Sequence, residues 1–179
     1  MQTELDVLAI VGDRLTACGI PFMLTGSFAM ARYATPRMTR DLDIVVALRP
    51  EDVAQVVTAF SPDFYVDADD ALAAATAERL FNLLHYGGGI KVDLIVRKSS
   101  EYRLLEFSRR QRVQLGAIET WIVSREDLVL SKLVWARDAA SELQMRDVRQ
   151  LLAGPVDTEY LRRWAPVLGV ESLLEEALP

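Results

Sequence analysis

Apolar residues in the first third of the chain follow two different spacings. Over residues 5–15 they recur three and four positions apart, which predicts a helix because such positions share one helical face. Two short apolar runs, at residues 22–25 and 41–47, instead predict strands. Helical patterns follow each strand, at residues 28–33 and 50–60. A polar, proline-containing stretch over residues 34–40 connects the first of these helices to the second strand.

The middle of the chain has two hairpin patterns, and the last third is helical. Glycines at 87–89 separate the apolar runs 80–86 and 90–96, and Gly116 separates a second pair of runs. A helix is expected between the hairpins, near residues 100–110. Capping boxes at Ser124 and Ser141 begin two helices, and two shorter helices are expected after Gly154. The second pair of runs covers residues 113–115 and 118–123.

This order of elements predicts an α/β (α+β) fold, with a mixed sheet flanked by helices and a helical segment at the C-terminal end. A chain of 179 residues, 51% of them hydrophobic, is long enough to bury a genuine core. We expect a core domain over residues 1–123 and a helical segment over residues 124–179 that packs on it.

Composition narrows the classes of function. The formal charge of −6 disfavours a dedicated nucleic-acid binder. Residues 97–112 are locally basic, which fits either a polynucleotide contact or a solvated helix face with ordinary ion pairs. No apolar run is long enough to cross a bilayer, Cys18 is the only cysteine, and the first residues are acidic. We therefore expect a cytoplasmic protein with no membrane contact.

Three aspartates are candidates for chemistry. Asp41 and Asp43 lie two apart on a predicted strand, so their side chains leave the same face. Asp93 is the only acid in the apolar run 90–96. If these strands are neighbours, the three carboxylates converge on a site that suits Mg²⁺. Alternatively, the acids cap strand ends or pair with basic neighbours. Those neighbours are Arg40 and Lys91.

Other Asp-x-Asp pairs and the tryptophans carry less information. About one such pair is expected by chance in this composition, and the second pair, Asp67 and Asp69, is interpreted as a loop or a helix cap. The three tryptophans fit the core better than a base-stacking platform. They are Trp121, Trp135 and Trp164.

Gly26 and Ser27 end the first predicted strand. A glycine there lets the backbone approach a ligand closely, and a serine with free N–H groups at a helix start suits a phosphate. Alternatively, the dipeptide is an ordinary turn.

Together these residues resemble the signature of the DNA polymerase β-like nucleotidyltransferase superfamily. Residues 24–27 and 39–45 match its Gly-Ser turn and its Asp-x-Asp strand, and residues 91–95 resemble its third carboxylate strand. The resemblance implies that Ser27 holds the terminal phosphates of a nucleotide. It also implies that Asp41 and Asp43 bind metal, and that Asp93 is a metal ligand or a base. Two Mg²⁺ ions would accompany the bound NTP.

The helical part resembles small bacterial nucleotidyltransferases related to the toxins of type IV toxin–antitoxin systems. The matching motifs are a Glu-Asp-Leu-x-x-x-Lys helix over residues 126–132 and an Arg-Asp helix at Arg146 and Asp147. Lys132 has apolar neighbours, so its ammonium needs a partner, either a nucleotide phosphate or an acid such as Asp147. The chain is shorter than the toxins, which weakens a toxin role.

The resemblance implies an enzyme that transfers a nucleoside monophosphate from an NTP to a hydroxyl acceptor and releases pyrophosphate. RNA, including tRNA, a protein or a small molecule would fit as acceptor, and the sequence does not choose among them. A homodimer or a cognate regulatory protein are further expected partners. The alternative is a nucleotidyltransferase fold without chemistry that serves as a binding or toxin–antitoxin partner.

Overall fold

The computed structural model describes residues 2–35 and 40–178. Within these residues the strands form one seven-stranded sheet in the order β3-β4-β5-β2-β1-β7-β6. The strands are β1 (Phe22–Thr25), β2 (Asp41–Val46), β3 (Phe64–Tyr65), β4 (Leu80–His85), β5 (Lys91–Val96), β6 (Gln111–Leu115) and β7 (Ile118–Ile122). The sheet is mixed, because β2 pairs with β5 and β1 with β7 in parallel, whereas the remaining pairs are antiparallel. The predicted fold class is confirmed.

Helices flank this sheet. They are α1 (Glu4–Ala17), α2 (Gly26–Ala29), α3 (Val53–Phe60), α4 (Ala68–Ala77), α5 (Glu101–Ser108), α6 (Arg125–Ala139), α7 (Glu142–Leu152), α8 (Thr158–Leu168) and α9 (Glu171–Ala177), with 3-10 turns at Met30–Arg32 and Pro50–Asp52. No helix in the described parts of the chain is long and apolar enough to cross a membrane.

Three predicted helix starts are confirmed by their caps. The Thr3 hydroxyl accepts from the Asp6 backbone N–H at 3.2 Å, while the Asp6 carboxylate accepts from the Thr3 N–H at 2.8 Å. The Ser124 and Ser141 hydroxyls cap α6 and α7 by accepting from the backbone N–H groups of Asp127 and Gln144. Each cap satisfies N–H groups that a helix start leaves without a partner, so a local sequence pattern is sufficient to place it.

Three local expectations need correction or completion. The helix expected at 28–33 begins at Gly26, directly after β1. The helix α4 was not predicted, because its apolar residues are mostly alanines with weak periodicity. Asp67 is its N-cap, so the helix cap is the correct one of the two interpretations of the Asp67 and Asp69 pair. The predicted connection at 34–40 lies partly outside the described residues, since 36–39 are not described.

The two faces of β2 and β5 have different surroundings. Leu42 and Ile44 on β2, and Val92 and Leu94 on β5, are fully buried in the core. Side chains alternate along a strand, so Asp43 and its neighbours on the odd-numbered positions point to the opposite face. The central position of β2 thus places its acids in the middle of the sheet.

The helical segment shares one core with the sheet. A single cluster of buried apolar residues extends from α1 through the sheet to α9. Asp127 on α6 adds a polar junction, because its buried carboxylate accepts from Tyr102 at 3.1 Å, Arg109 at 3.1 Å and Tyr160 at 2.7 Å. These bonds join α5, α6 and α8. The boundary at residue 123 stays a prediction.

Candidate functional site

The turn after β1 brings the backbone of Gly26 against an acid of the neighbouring strand. Thr25 is the register partner of Asp43, and Gly26 has a φ of +67°. A Cβ at residue 26 would overlap the Asp43 carboxylate. Gly26 is therefore required both for its left-handed conformation and for the space that Asp43 occupies. Ser27 follows it and is 7% exposed.

Two of the three predicted acids are directly side by side. Asp43 and Asp93 are register partners on the parallel strands β2 and β5, and Asp41 is the partner of Lys91. Burial, and then the charges of Asp93 and Asp41, raise the pKa of Asp43 to about 6, although Lys132 and Lys91 oppose the rise. The two strands are neighbours, which was the condition for the acids to converge.

Asp93 is held by two neighbours on its own face of the sheet. The Lys91 Nζ lies 2.9 Å from Asp93 Oδ1 and 3.0 Å from Oδ2. The Asn82 amide on β4 donates to Oδ1 at 2.7 Å. The pairing with Lys91 was one of the sequence alternatives, whereas Asn82 was missed, because only the β4–β5 register places it opposite Asp93.

A cavity of about 700 Å³ opens beside these acids. One side is formed by Thr25, Ser27, Asp41 and Asp43. The described residues that line the cavity include neither Asp93 nor Lys132. The remaining lining residues come from β2, β4, β5, α5, α6 and α7 and from the loops beside them: Val45, Glu78, Arg79, Leu80, Ile95, Val96, Arg97, Lys98, Arg103, Glu106, Ser131, Val134, Trp135, Asp138 and Gln144.

The cavity lining also contains a polar network that the sequence did not reveal. Arg103 Nη1 donates to Glu106 Oε1 and Oε2 at 2.9 and 2.8 Å and to Ser131 Oγ at 2.7 Å. The Ser131 hydroxyl is 2.7 Å from Glu106 Oε1 and donates to it. Burial raises the pKa of Glu106, although Arg103 opposes the rise. No short motif joins these residues in the sequence, so only the packing of α5 against α6 assembles them.

Lys132 lies in a buried ion pair. It is fully buried, and its Nζ is 2.7 Å from Asp147 Oδ2 and 3.0 Å from Gln144 Oε1. The acid partner considered from the sequence is therefore present. A role for Lys132 toward a nucleotide phosphate stays a prediction.

Three of the six basic residues in the stretch 97–112 form ion pairs within the described parts of the chain. Arg103 pairs with Glu106, Arg109 with Asp127, and Arg112 with Glu119 at 2.7 Å. These ion pairs fit the alternative considered from the sequence, a solvated helix face with ordinary ion pairs. Arg97 and Lys98 line the cavity, as Arg103 does.

Trp135 also lines the cavity and is half-buried there. The expectation that Trp135 belongs to the core therefore holds for only part of its side chain. Trp164 is buried, as expected.

The backbone is similar to those of solved nucleotidyltransferases. It matches the antibiotic-resistance factor ANT(2'')-Ia in complex with adenylyl-2''-tobramycin with a TM-score of 0.60 at 11% identity, covering 93% of this chain and 96% of that one. An antigenic nucleotidyltransferase-like protein from Paracoccidioides brasiliensis matches with a TM-score of 0.58 at 16% identity, over 98% and 94% of the two chains. A candidate nucleotidyltransferase from Thermotoga maritima matches with a TM-score of 0.53 at 19% identity, over 91% and 92%.

These similarities show that the chain has the nucleotidyltransferase fold. No protein-family model and no curated protein matches the sequence. The fold was therefore recognisable from a few motif residues and from the backbone, and not from overall sequence similarity.

The acids suit a divalent cation that is held jointly with a substrate. Mg²⁺ is typically bound through one or two carboxylates and the phosphates of a nucleotide. Asp41 and Asp43 supply two carboxylates at the cavity, and the repulsion that contributes to the raised pKa of Asp43 is relieved by a cation. Within residues 2–35 and 40–178, no three His, Cys, Asp or Glu side chains are grouped to hold a metal ion. The arrangement fits a cation that completes its coordination with substrate oxygens.

Proposed function

We propose that the protein is a Mg²⁺-dependent nucleotidyltransferase that transfers a nucleoside monophosphate from an NTP to an acceptor hydroxyl. The observation that supports this most directly is the meeting of Ser27, Asp41 and Asp43 at one cavity of a nucleotidyltransferase fold. In the reaction, the acceptor oxygen bonds to the α-phosphorus, the bond to pyrophosphate breaks, and the hydroxyl proton is lost to a base or to water.

Different residues of the chain would bind the phosphates and the metal. Ser27, with the backbone that Gly26 keeps open, would hold the terminal phosphates of the NTP. Asp41 and Asp43 would be the metal ligands, and Asp93 a metal ligand or base. The bound Mg²⁺ would neutralise negative charge that develops on the phosphate oxygens.

Other residues of the cavity lining would bind the organic part of the substrates. Trp135 offers an aromatic face on which a nucleobase can stack, and Arg103 and Glu106 offer a polar surface for the acceptor. ANT(2'')-Ia is bound to adenylyl-2''-tobramycin, a modified small molecule. We therefore propose a small hydroxyl compound as the acceptor to test first, with RNA and protein acceptors tested in parallel.

The second candidate function is a fold without chemistry that acts as a binding or toxin–antitoxin partner. It is favoured by one observation, the engagement of Asp93 by Lys91 and Asn82, which leaves fewer carboxylate oxygens for catalysis. It predicts nucleotide binding without transfer, or no binding at all.

A transfer assay with α-labelled NTPs separates the two functions. The wild type is compared with Asp41→Asn and Asp43→Asn, and with Asp13→Asn as a control, because Asp13 is an exposed helix residue. We expect label transfer that requires Mg²⁺ and is lost in the two site variants but retained in the control. Equal signals in all four proteins, or none with any acceptor class, would contradict the proposed enzyme.

A further inference from the structure

Lys91 occupies a central position among the three acids. It begins β5, points to the same face as Asp93, and lies opposite Asp41 in the register of β2 and β5. Its Nζ contacts both oxygens of Asp93, at 2.9 and 3.0 Å. The ammonium thus neutralises Asp93 directly and belongs to the residue that lies opposite Asp41.

The oxygens of Asp93 are already used by protein donors. Oδ2 accepts from Lys91 and Oδ1 accepts from Asn82, and the Lys91 Nζ also lies within ion-pair distance of Oδ1. A divalent ion on Asp93 would need an oxygen at about 2.0 to 2.1 Å, in competition with these donors. It would also lie beside the Lys91 ammonium, and like charges at such short range repel strongly.

We propose that Lys91 takes the place of a second metal ion, so that this chain binds one divalent cation, on Asp41 and Asp43. Asp93 then holds Lys91 in position, with Asn82 fixing its carboxylate, and does not ligate metal. This inference rests on the proposed function only in taking Asp41 and Asp43 as metal ligands. It replaces the expectation of two ions with a single ion and a built-in lysine.

The count of bound ions is measured with Mn²⁺ alone, by the loss of the free Mn²⁺ signal in electron paramagnetic resonance. We expect one bound Mn²⁺ per wild-type chain and none at this site in Asp43→Asn. Asp93→Asn should retain the single ion with little change in affinity. Lys91→Met, which keeps the length of the side chain but removes its charge, should either bind a second Mn²⁺ or bind the first at least about tenfold more tightly.

Two further variants keep the test decisive. Lys91→Gln repeats the loss of charge with a polar side chain, in case Lys91→Met does not fold. Lys98→Met is the matched control, because Lys98 lines the same cavity without a hydrogen bond or ion pair to the acids in the described structure, and it should leave the Mn²⁺ count unchanged. Two ions on the wild type, loss of an ion in Asp93→Asn, or no Mn²⁺ on any variant would each overturn the inference.

The failure of this inference is distinguishable from that of the proposed function, because no nucleotide or acceptor is present in the titration. One bound Mn²⁺ in a chain that transfers no label would support the single-cation site but contradict the proposed enzyme. Label transfer by a chain that binds two ions would support the proposed enzyme but contradict the inference that Lys91 takes the place of the second ion.

Discussion

Replacement of Gly26 by alanine tests how the turn after β1 builds the site. The substitution adds a single methyl group at a residue with a φ of +67°. That group would overlap Oδ2, Cγ and Cβ of Asp43, so the carboxylate must move or the turn must open. Either change displaces the acid from the cavity wall that it shares with Ser27.

Two contributions to the lost stability can be estimated. A left-handed conformation costs a residue with a Cβ about 1–2 kcal/mol. In the opposite direction, alanine reduces the conformational entropy of the unfolded chain, which stabilises the folded protein by about 0.4–1 kcal/mol. Insertion of a methyl group into a filled space adds about 1–3 kcal/mol. We expect Gly26→Ala to lower the free energy of unfolding by about 1–5 kcal/mol.

Gly19→Ala is a matched control for the backbone contribution. Gly19 has a φ of +68°, but a Cβ there meets nothing within 4 Å. The difference between the two variants in chemical denaturation therefore isolates the overlap with Asp43. Transfer activity should also fall by about 100-fold in Gly26→Ala, since a displacement of about 1 Å in an active site has effects of that size.

An unfolding free energy of Gly26→Ala within about 0.5 kcal/mol of that of Gly19→Ala, the range of ordinary surface substitutions, would refute the overlap with Asp43. Unchanged transfer in a folded Gly26→Ala protein would equally refute the placement of Asp43 in the site.

Three further predictions concern the helical side of the cavity. Lys132→Met leaves the buried Asp147 without its lysine and should cost about 3–5 kcal/mol in chemical denaturation; a loss below about 1 kcal/mol would contradict the importance of the pair. Because burial raises the pKa of Glu106, its stabilising contribution is present below the unfolded-state value of 4.5 and is lost as pH rises through the folded-state value. The stability of the wild type relative to Glu106→Gln should therefore fall as pH rises, and a constant difference across the titration would refute this. Trp135→Ala should weaken NTP binding by about 10- to 100-fold if a base stacks there, whereas Trp121→Ala, a half-buried tryptophan outside the cavity lining, should not.

Local signals in the sequence were sufficient for most of the elements. Capping residues such as Thr3 and Ser124 act within three positions, so their effect can be recognised without knowledge of the fold. The alanine-rich α4 and the two-residue strand β3 escaped this reasoning, because neither has a strong apolar period.

The candidate site was partly predictable for a related reason. Gly26, Ser27, Asp41 and Asp43 form a spaced motif, and the acids stand out in apolar strands. The partners of Asp93 and Lys132 were only alternatives, because a charged side chain in an apolar run indicates that a partner exists without saying which one.

By itself, the sequence determined the order of most helices and strands and the candidate residues for phosphate and metal chemistry, because these depend on neighbours a few positions away. Tertiary structure alone decided that Asn82 and Lys91 hold Asp93, and that Arg103, Glu106 and Trp135 line the same cavity as Ser27 and Asp43. Strand register and helix packing join residues that are far apart in the chain, and the free energy of those contacts is distributed over the whole core rather than encoded in a local pattern.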